Sequence, residues 1–92
     1  MKYLLNPDVV LVTVLEESML VDVDSEAGCV KSMRGINETG IYYWKKLEKG
    51  MDIEEIIAQA VSDYEITDER ARTSFVNYLR SLRDAKYLTL EE

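Results

Sequence analysis

The chain contains no histidine and one cysteine, Cys29. Without imidazole, the usual zinc sites and the Ser–His or Cys–His nucleophile pairs are unavailable. A lone cysteine closes no internal disulfide, and no histidine stands ready to activate it, so Cys29 reads as a small buried hydrophobe. No P-loop and no GxGxxG occurs. No apolar run approaches the ~18 residues of a membrane span. Basic residues are the minority, 11 Lys and Arg against 18 Asp and Glu, for a formal charge of −7. That balance opposes non-specific nucleic-acid binding, where neutralising phosphates dominates affinity. The opening MKYLLNPDVVLVTVLEE has one early lysine, runs into acids and lacks a small-residue cleavage site, so it reads as mature protein rather than a signal peptide. With no signal and one thiol, the cytoplasm is the expected compartment. Carboxylate pairs abound, but 18 acids in 92 residues produce pairs by chance. Together these absences point away from an enzyme, a metal or cofactor, and a membrane.

What is present fits one domain spanning residues 1–92. At 47% hydrophobic and 32% charged, the composition is that of an ordinary globular domain. No repeat, low-complexity tract or linker interrupts it. Val9-Val10-Leu11-Val12-Thr13-Val14-Leu15 is β-branched and continuous, which predicts a strand apolar on both faces. Glu16-Glu17-Ser18 turns the chain into a second strand, Met19–Asp24, with Met19, Val21 and Val23 on one face and Leu20, Asp22 and Asp24 on the other. Ser25-Glu26-Ala27-Gly28 is a second turn, and Cys29–Met33 a short third strand. Short links between three strands predict an antiparallel meander.

Three helices follow. Asn37 is an N-cap, with Glu38 in the first turn and Ile36 and Ile41 spaced as a hydrophobic staple. Ile41, Trp44 and Leu47 continue the stripe, and Gly50 fits a C-terminal stop. Gly40 allows a neighbouring backbone to approach. Asp52-Ile53-Glu54-Glu55 has the form of a capping box with Asp for Ser, leading Ile53, Ile56, Ile57, Ala60, Val61 and Tyr64 at helical spacing. Thr67 or Asp68 caps a last helix whose stripe is Ala71, Phe75, Tyr78, Leu79, Leu82 and Ala85. Tyr87–Leu90 is an extended tail. Strands followed by helices make the fold class α+β. One sheet face takes the helices. The other is apolar too, and its cover is either a second copy of the chain, giving a homodimer, or a helix or the tail folding over.

The ordered set Ile36-Asn37-Glu38-Thr39-Gly40, Trp44, Gly50, Asp52-Ile53-Glu54-Glu55-Ile56, Tyr64, then Phe75, Leu79, Leu82 and the Leu88 region resembles the PqqD-like family. These are small peptide-binding domains also known as RiPP recognition elements. The likeness spans nearly the whole chain, and the hairpins with Asp22 and Gly28 agree with it. Met33-Arg34-Gly35 read as an insertion against the family pattern, and Ile36 stands where leucine is usual. The resemblance implies a winged-helix-like domain that binds the leader of a ribosomally made precursor peptide and presents it to a modifying enzyme, a maturase or protease. It also implies the mode: an extended peptide pairs with the edge of the third strand beside the last helix. Carried onto this sequence, the edge is Cys29, Val30, Lys31, Ser32 and Met33 with Arg34 beside it, and the helix positions are Arg72, Val76, Leu79, Arg80 and Arg83.

Charge placement supports this independently. The whole net charge resides in residues 1–66, and 67–92 is balanced. Arg70, Arg72, Arg80, Arg83 and Lys86 stand against Asp84 alone in the stretch from Arg70 to Lys86. Arg72, Val76, Leu79 and Arg83 recur at i, i+4, i+7, i+11, a stripe suited to an acidic, partly apolar peptide. Solvated arginines complementing the helix C-terminus are the plainer reading of Arg83 and Lys86. Two other functions compete: a winged-helix DNA-binding domain, opposed by the overall charge, and a structural or dimerisation subunit.

Overall fold

The computed structural model describes residues 2–24 and 26–91. Its strands and helices run β1 (Lys2–Leu5), β2 (Val9–Val14), β3 (Glu17–Asp24), β4 (Cys29–Ile36), α1 (Glu38–Glu48), α2 (Ile53–Tyr64), α3 (Asp68–Asp84) and β5 (Leu88–Glu91). The expected antiparallel meander is β2-β3-β4, followed by the three helices. Two elements go beyond the expectation. Lys2–Leu5 is a strand, and the tail pairs with it antiparallel, Lys2 opposite Glu91 and Leu5 opposite Leu88. The tail therefore closes a second, two-stranded sheet instead of folding over the first.

The first hairpin turns at Leu15-Glu16, with Val14 opposite Glu17, so Glu17 and Ser18 are strand residues. Leu15 ends outside the strand, 95% exposed and at φ 58, a left-handed conformation that β-branched and large residues rarely adopt. In the second turn, Ser25 lies outside the described residues. The Asp24 carboxylate accepts from the amides of Glu26 and Ala27, and Gly28 takes φ +68.

Register fixes the faces. Val9 and Leu11 of β2 stand opposite Asp22 and Leu20 of β3, which stand opposite Ser32 and Arg34 of β4. Leu20 is 1% exposed within the helical core, so this is the face that meets the helices. The other face carries Val10, Val12, Val14, Met19, Val21, Val23, Val30 and Met33. Val10, Val14, Val30 and Met33 on it are exposed.

The core is where the helices meet: Tyr43, Trp44 and Leu47 of α1, Ile53, Ile56, Ile57 and Ala60 of α2, and Ala71, Phe75, Leu79 and Leu82 of α3, closed by Tyr87 and Leu88. Tyr43, which the α1 stripe omits, is as buried as its neighbours, whereas Tyr64 at the end of α2 is exposed and meets Tyr42 edge-on at 5.0 Å. Helix ends follow local chemistry. The Asn37 side chain accepts from the Gly40 amide at 2.9 Å, and Thr67 accepts from Arg70 at 3.2 Å. Gly50, at φ +74, donates to the Leu47 carbonyl while Met51 donates to that of Lys46, a Schellman closure of α1. Asp52 occupies the N-cap of α2 without a side-chain bond to it, so the capping box is not formed.

Candidate functional site

β4 is an edge strand among the described residues, where the sheet order β2-β3-β4 gives it β3 as its one neighbour. It extends to Ile36 because Met33, Arg34 and Gly35 pair with Val21, Leu20 and Met19. The three residues that read as an insertion are therefore strand, continuing the ladder to the helix cap. The irregularity lies elsewhere: Asp22 pairs with Ser32 and Val23 with Val30, leaving Lys31 as the extra residue of a bulge. Cys29 is exposed, contrary to expectation, because it sits at the start of this edge, whose residues are exposed as far as Gly35.

On the helix-facing side, β4 is fastened at two points. The Ser32 and Tyr87 hydroxyls share a hydrogen bond of 3.1 Å. Arg34 reaches across to α3, where its Nη1 donates to the Ser81 carbonyl oxygen at 3.3 Å. Between these elements lies a cavity of about 150 Å³, with Leu20, Ile36 and Leu82 as apolar wall and Tyr78, Arg34 and the start of α1 around it. The Tyr78 hydroxyl donates to the Gly40 carbonyl at 3.0 Å. Burial pushes the Tyr78 phenol above its ordinary pKa, and the nearby positive charge of Arg34 acts in the opposite sense. At Gly40, an added Cβ would stand 2.5 Å from Ile36 Cγ1, so the glycine admits a side chain here, not a neighbouring backbone. A larger hollow of about 500 Å³ lies away from this edge, between β1 and the α1–α2 turn. There the Tyr3 hydroxyl is already bound to the carbonyls of Leu47 and Met51.

Two flanks of α3 have to be distinguished. Tyr78 and Ser81 face α1 and β4. Helical spacing puts Asn77 and Asp84 beside Ser81, at i−4 and i+3. Arg72 faces α2, its two terminal nitrogens forked onto Glu54 at 2.8 Å each, with Asp68 at 3.5 Å from Nε. Hydrogen bonding from Arg72 holds the Glu54 carboxyl below the usual range. Val76 and Arg83 share the Arg72 flank by spacing, and Arg83 meets Asp84 at 3.4 Å. Arg80 lies on the exposed side between the flanks. Leu79 is fully buried and offers no surface. So Cys29 to Arg34 gather on one edge, while Arg72 is engaged by Glu54 of α2, with Val76 and Arg83 on its flank by spacing. Tyr78 and Ser81 border that edge, and their signal in the sequence was only that Tyr78 belongs to the apolar stripe.

No described helix is long and apolar enough to cross a membrane. Among the described residues, no group of acidic or thiol side chains is arranged to hold a metal ion.

Among curated proteins, none matches this sequence closely enough to count as a relative. The solved structure of TbiB1 in complex with the TbiA(beta) leader peptide is similar throughout, with a TM-score of 0.77 at 23% identity, covering 100% of this chain and 99% of that one. The family model for PqqD, coenzyme PQQ synthesis protein D, matches residues 4–88, and on that extent the chain belongs to the PqqD family.

Proposed function

We propose that this domain binds the leader segment of a ribosomally synthesised precursor peptide as an added strand on β4, and holds it for a modifying enzyme without catalysing a reaction itself. The observation that carries the reading is the edge of β4, which pairs only with β3 and stands beside the Tyr78–Ser81 flank of α3. Such an edge offers backbone N–H and C=O groups in a row, and the adjacent helix supplies side-chain selectivity. Membership of the PqqD family and the likeness to TbiB1, which is seen with a leader peptide, support it.

The bulge at Lys31 refines the docking register. It interrupts the ladder between Val30 and Ser32, so a continuous run of pairing groups extends from Ser32 to Ile36. The peptide lies along that run, with Cys29, Val30 and Lys31 at its margin. On the helix, the groove wall is Tyr78 and Ser81. Arg80 stands at the rim, and Arg72, Val76 and Arg83 belong to the α2 side. The partner enzyme is a maturase or protease acting in the cytoplasm. Nucleic acid is a poor partner, because the hairpins β2-β3-β4 carry Glu16, Glu17, Asp22, Asp24 and Glu26.

The test is a fluorescence-anisotropy titration with a labelled leader from a precursor encoded beside this gene, repeated with the peptide N-methylated at one residue at a time. Strand addition predicts saturable binding, mildly dependent on salt, that is lost at alternate N-methylated positions, since only every second N–H faces β4. A folded protein that ignores the leader, or binds it with no alternation, overturns the reading.

A further inference from the structure

Arg34 is the cation of the β4–α3 groove whose partnership is incomplete. Among the described residues, the arginines in ion pairs are Arg72, with Glu54 and Asp68, and Arg83, with Asp84. Arg34 instead spends one N–H on the Ser81 carbonyl, at the long distance of 3.3 Å. That carbonyl already accepts the Ala85 amide at 3.1 Å as part of the α3 terminus. A guanidinium has five N–H donors in a planar fork, and a carboxylate is the acceptor that matches it two at a time. The side chain stands opposite Leu20 on the helix-facing side of β4, at the border of the cavity walled by Leu20, Ile36 and Leu82.

We propose that Arg34 and this cavity form one two-part subsite, which reads an Asp or Glu of the bound peptide next to an apolar side chain two residues away. The spacing comes from strand geometry. In an added strand, residues i and i+2 point to the same face and lie roughly 7 Å apart. One of the pair enters the apolar cavity and the other meets the guanidinium. On docking, Arg34 exchanges its weak bond to a shared carbonyl for a charge-assisted fork, while the residue between the two points to the opposite sheet face and is unconstrained. This inference rests on strand addition at β4, and adds to it the chemistry that the strand must carry.

The experiment uses peptides rather than a known leader. A display library of random linear 12-residue peptides is panned against the intact 92-residue chain and against Arg34→Glu, with hydrogen exchange on β4 amides for the winners. Wild type is expected to enrich peptides with an acid two residues from Leu, Ile, Met or Val, and to protect amides in Ser32–Ile36. Arg34→Glu is expected to bind those winners at least about tenfold more weakly, and on fresh panning to enrich Lys or Arg at the acidic position. Arg83→Glu makes the same charge change off the groove and is expected to shift affinity less than about twofold. Arg34 is exposed, so its variants keep the fold, and circular dichroism with Arg34→Gln as a second variant verifies this. Winners that protect β4 but tolerate both Arg34 variants overturn the subsite and leave strand addition standing. Failure of the folded wild type to enrich any peptide overturns both.

Discussion

The two flanks of α3 each meet an arginine, in different circumstances. On the α2 side, Arg72 is held by two carboxylates, one of them forked at 2.8 Å on both oxygens. On the β4 side, an arginine from the strand reaches the helix and, among the described residues, finds a backbone carbonyl and no carboxylate. A cation whose donors are already matched has little to gain from a ligand, because a new carboxylate would first have to displace an existing one. A cation with unmatched donors at the border of an apolar cavity gains the whole interaction. Basic charge on a helix is therefore a poor guide to a binding face until its partners are known.

The strongest way to break the comparison is to remove the support that both flanks share. Phe75 is fully buried at the centre of α3's core face, with its ring 4.8 Å from that of Tyr43. Phe75→Ala should cost about 3–5 kcal/mol, a large share of a small domain's stability, read as the midpoint of urea unfolding. Loss of peptide binding should follow unfolding, so binding and stability should fall together. Gly40→Ala should instead act on the β4 side. Its Cβ would push on Ile36, a wall of the cavity, and overpacking of that kind costs roughly 1–3 kcal/mol, offset by about 1 kcal/mol of helix propensity. The expected signature is a modest loss of stability with a disproportionate loss of peptide affinity. Equal losses would mean that the cavity is not part of the site. Tyr78→Phe removes the donor to the Gly40 carbonyl and should cost about 1 kcal/mol in the same unfolding measurement.

How much of this was legible in the sequence follows from the range of each signal. Asn37, Thr67 and Gly50 act on groups within a few residues, and each performs the expected task. The α3 stripe was legible because burial follows helical period, and Ala71, Phe75, Leu79 and Leu82 are all in the core. The two-stranded sheet was not, since Lys2–Leu5 and Leu88–Glu91 are each too short to show a period and recognise each other only across the whole chain. The first hairpin lacks the Asn-Gly or Gly signal of a tight turn, so Leu15 read as strand. That the third strand of the meander exists was legible, but its length was not: Gly35 interrupts a β-forming run although it pairs normally with Met19. The helix positions expected from spacing differ from those bordering β4 for a different reason. Spacing says which residues of α3 lie together, but nothing in it says which neighbour they face. Arg72 went to Glu54 of α2, a partner 18 residues away that no pattern within α3 reports.

The smallest effect is expected at that pair, and it sharpens the comparison by its size and pH dependence. Both side chains are exposed, at 44% and 63%, so water and salt screen the attraction. Arg72→Ala should leave peptide affinity within about twofold, since its guanidinium is already engaged by Glu54 and Asp68. Its trace should appear in acid. The Glu54 carboxyl is held below the usual range in the folded chain, chiefly by the hydrogen bonds from Arg72. A depressed carboxylate pKa contributes stability that is fully present above the unfolded-state pKa and disappears as pH falls through the folded one. Urea titrations of wild type and Arg72→Ala should therefore differ slightly at neutral pH and converge as the carboxylate protonates, with the neutral-pH gap narrowing in high salt. A gap that persisted in acid would show that Arg72 supports the helix by packing its aliphatic stem. A large loss of peptide affinity at neutral pH would instead return this arginine to the binding site and undo the distinction between the two flanks.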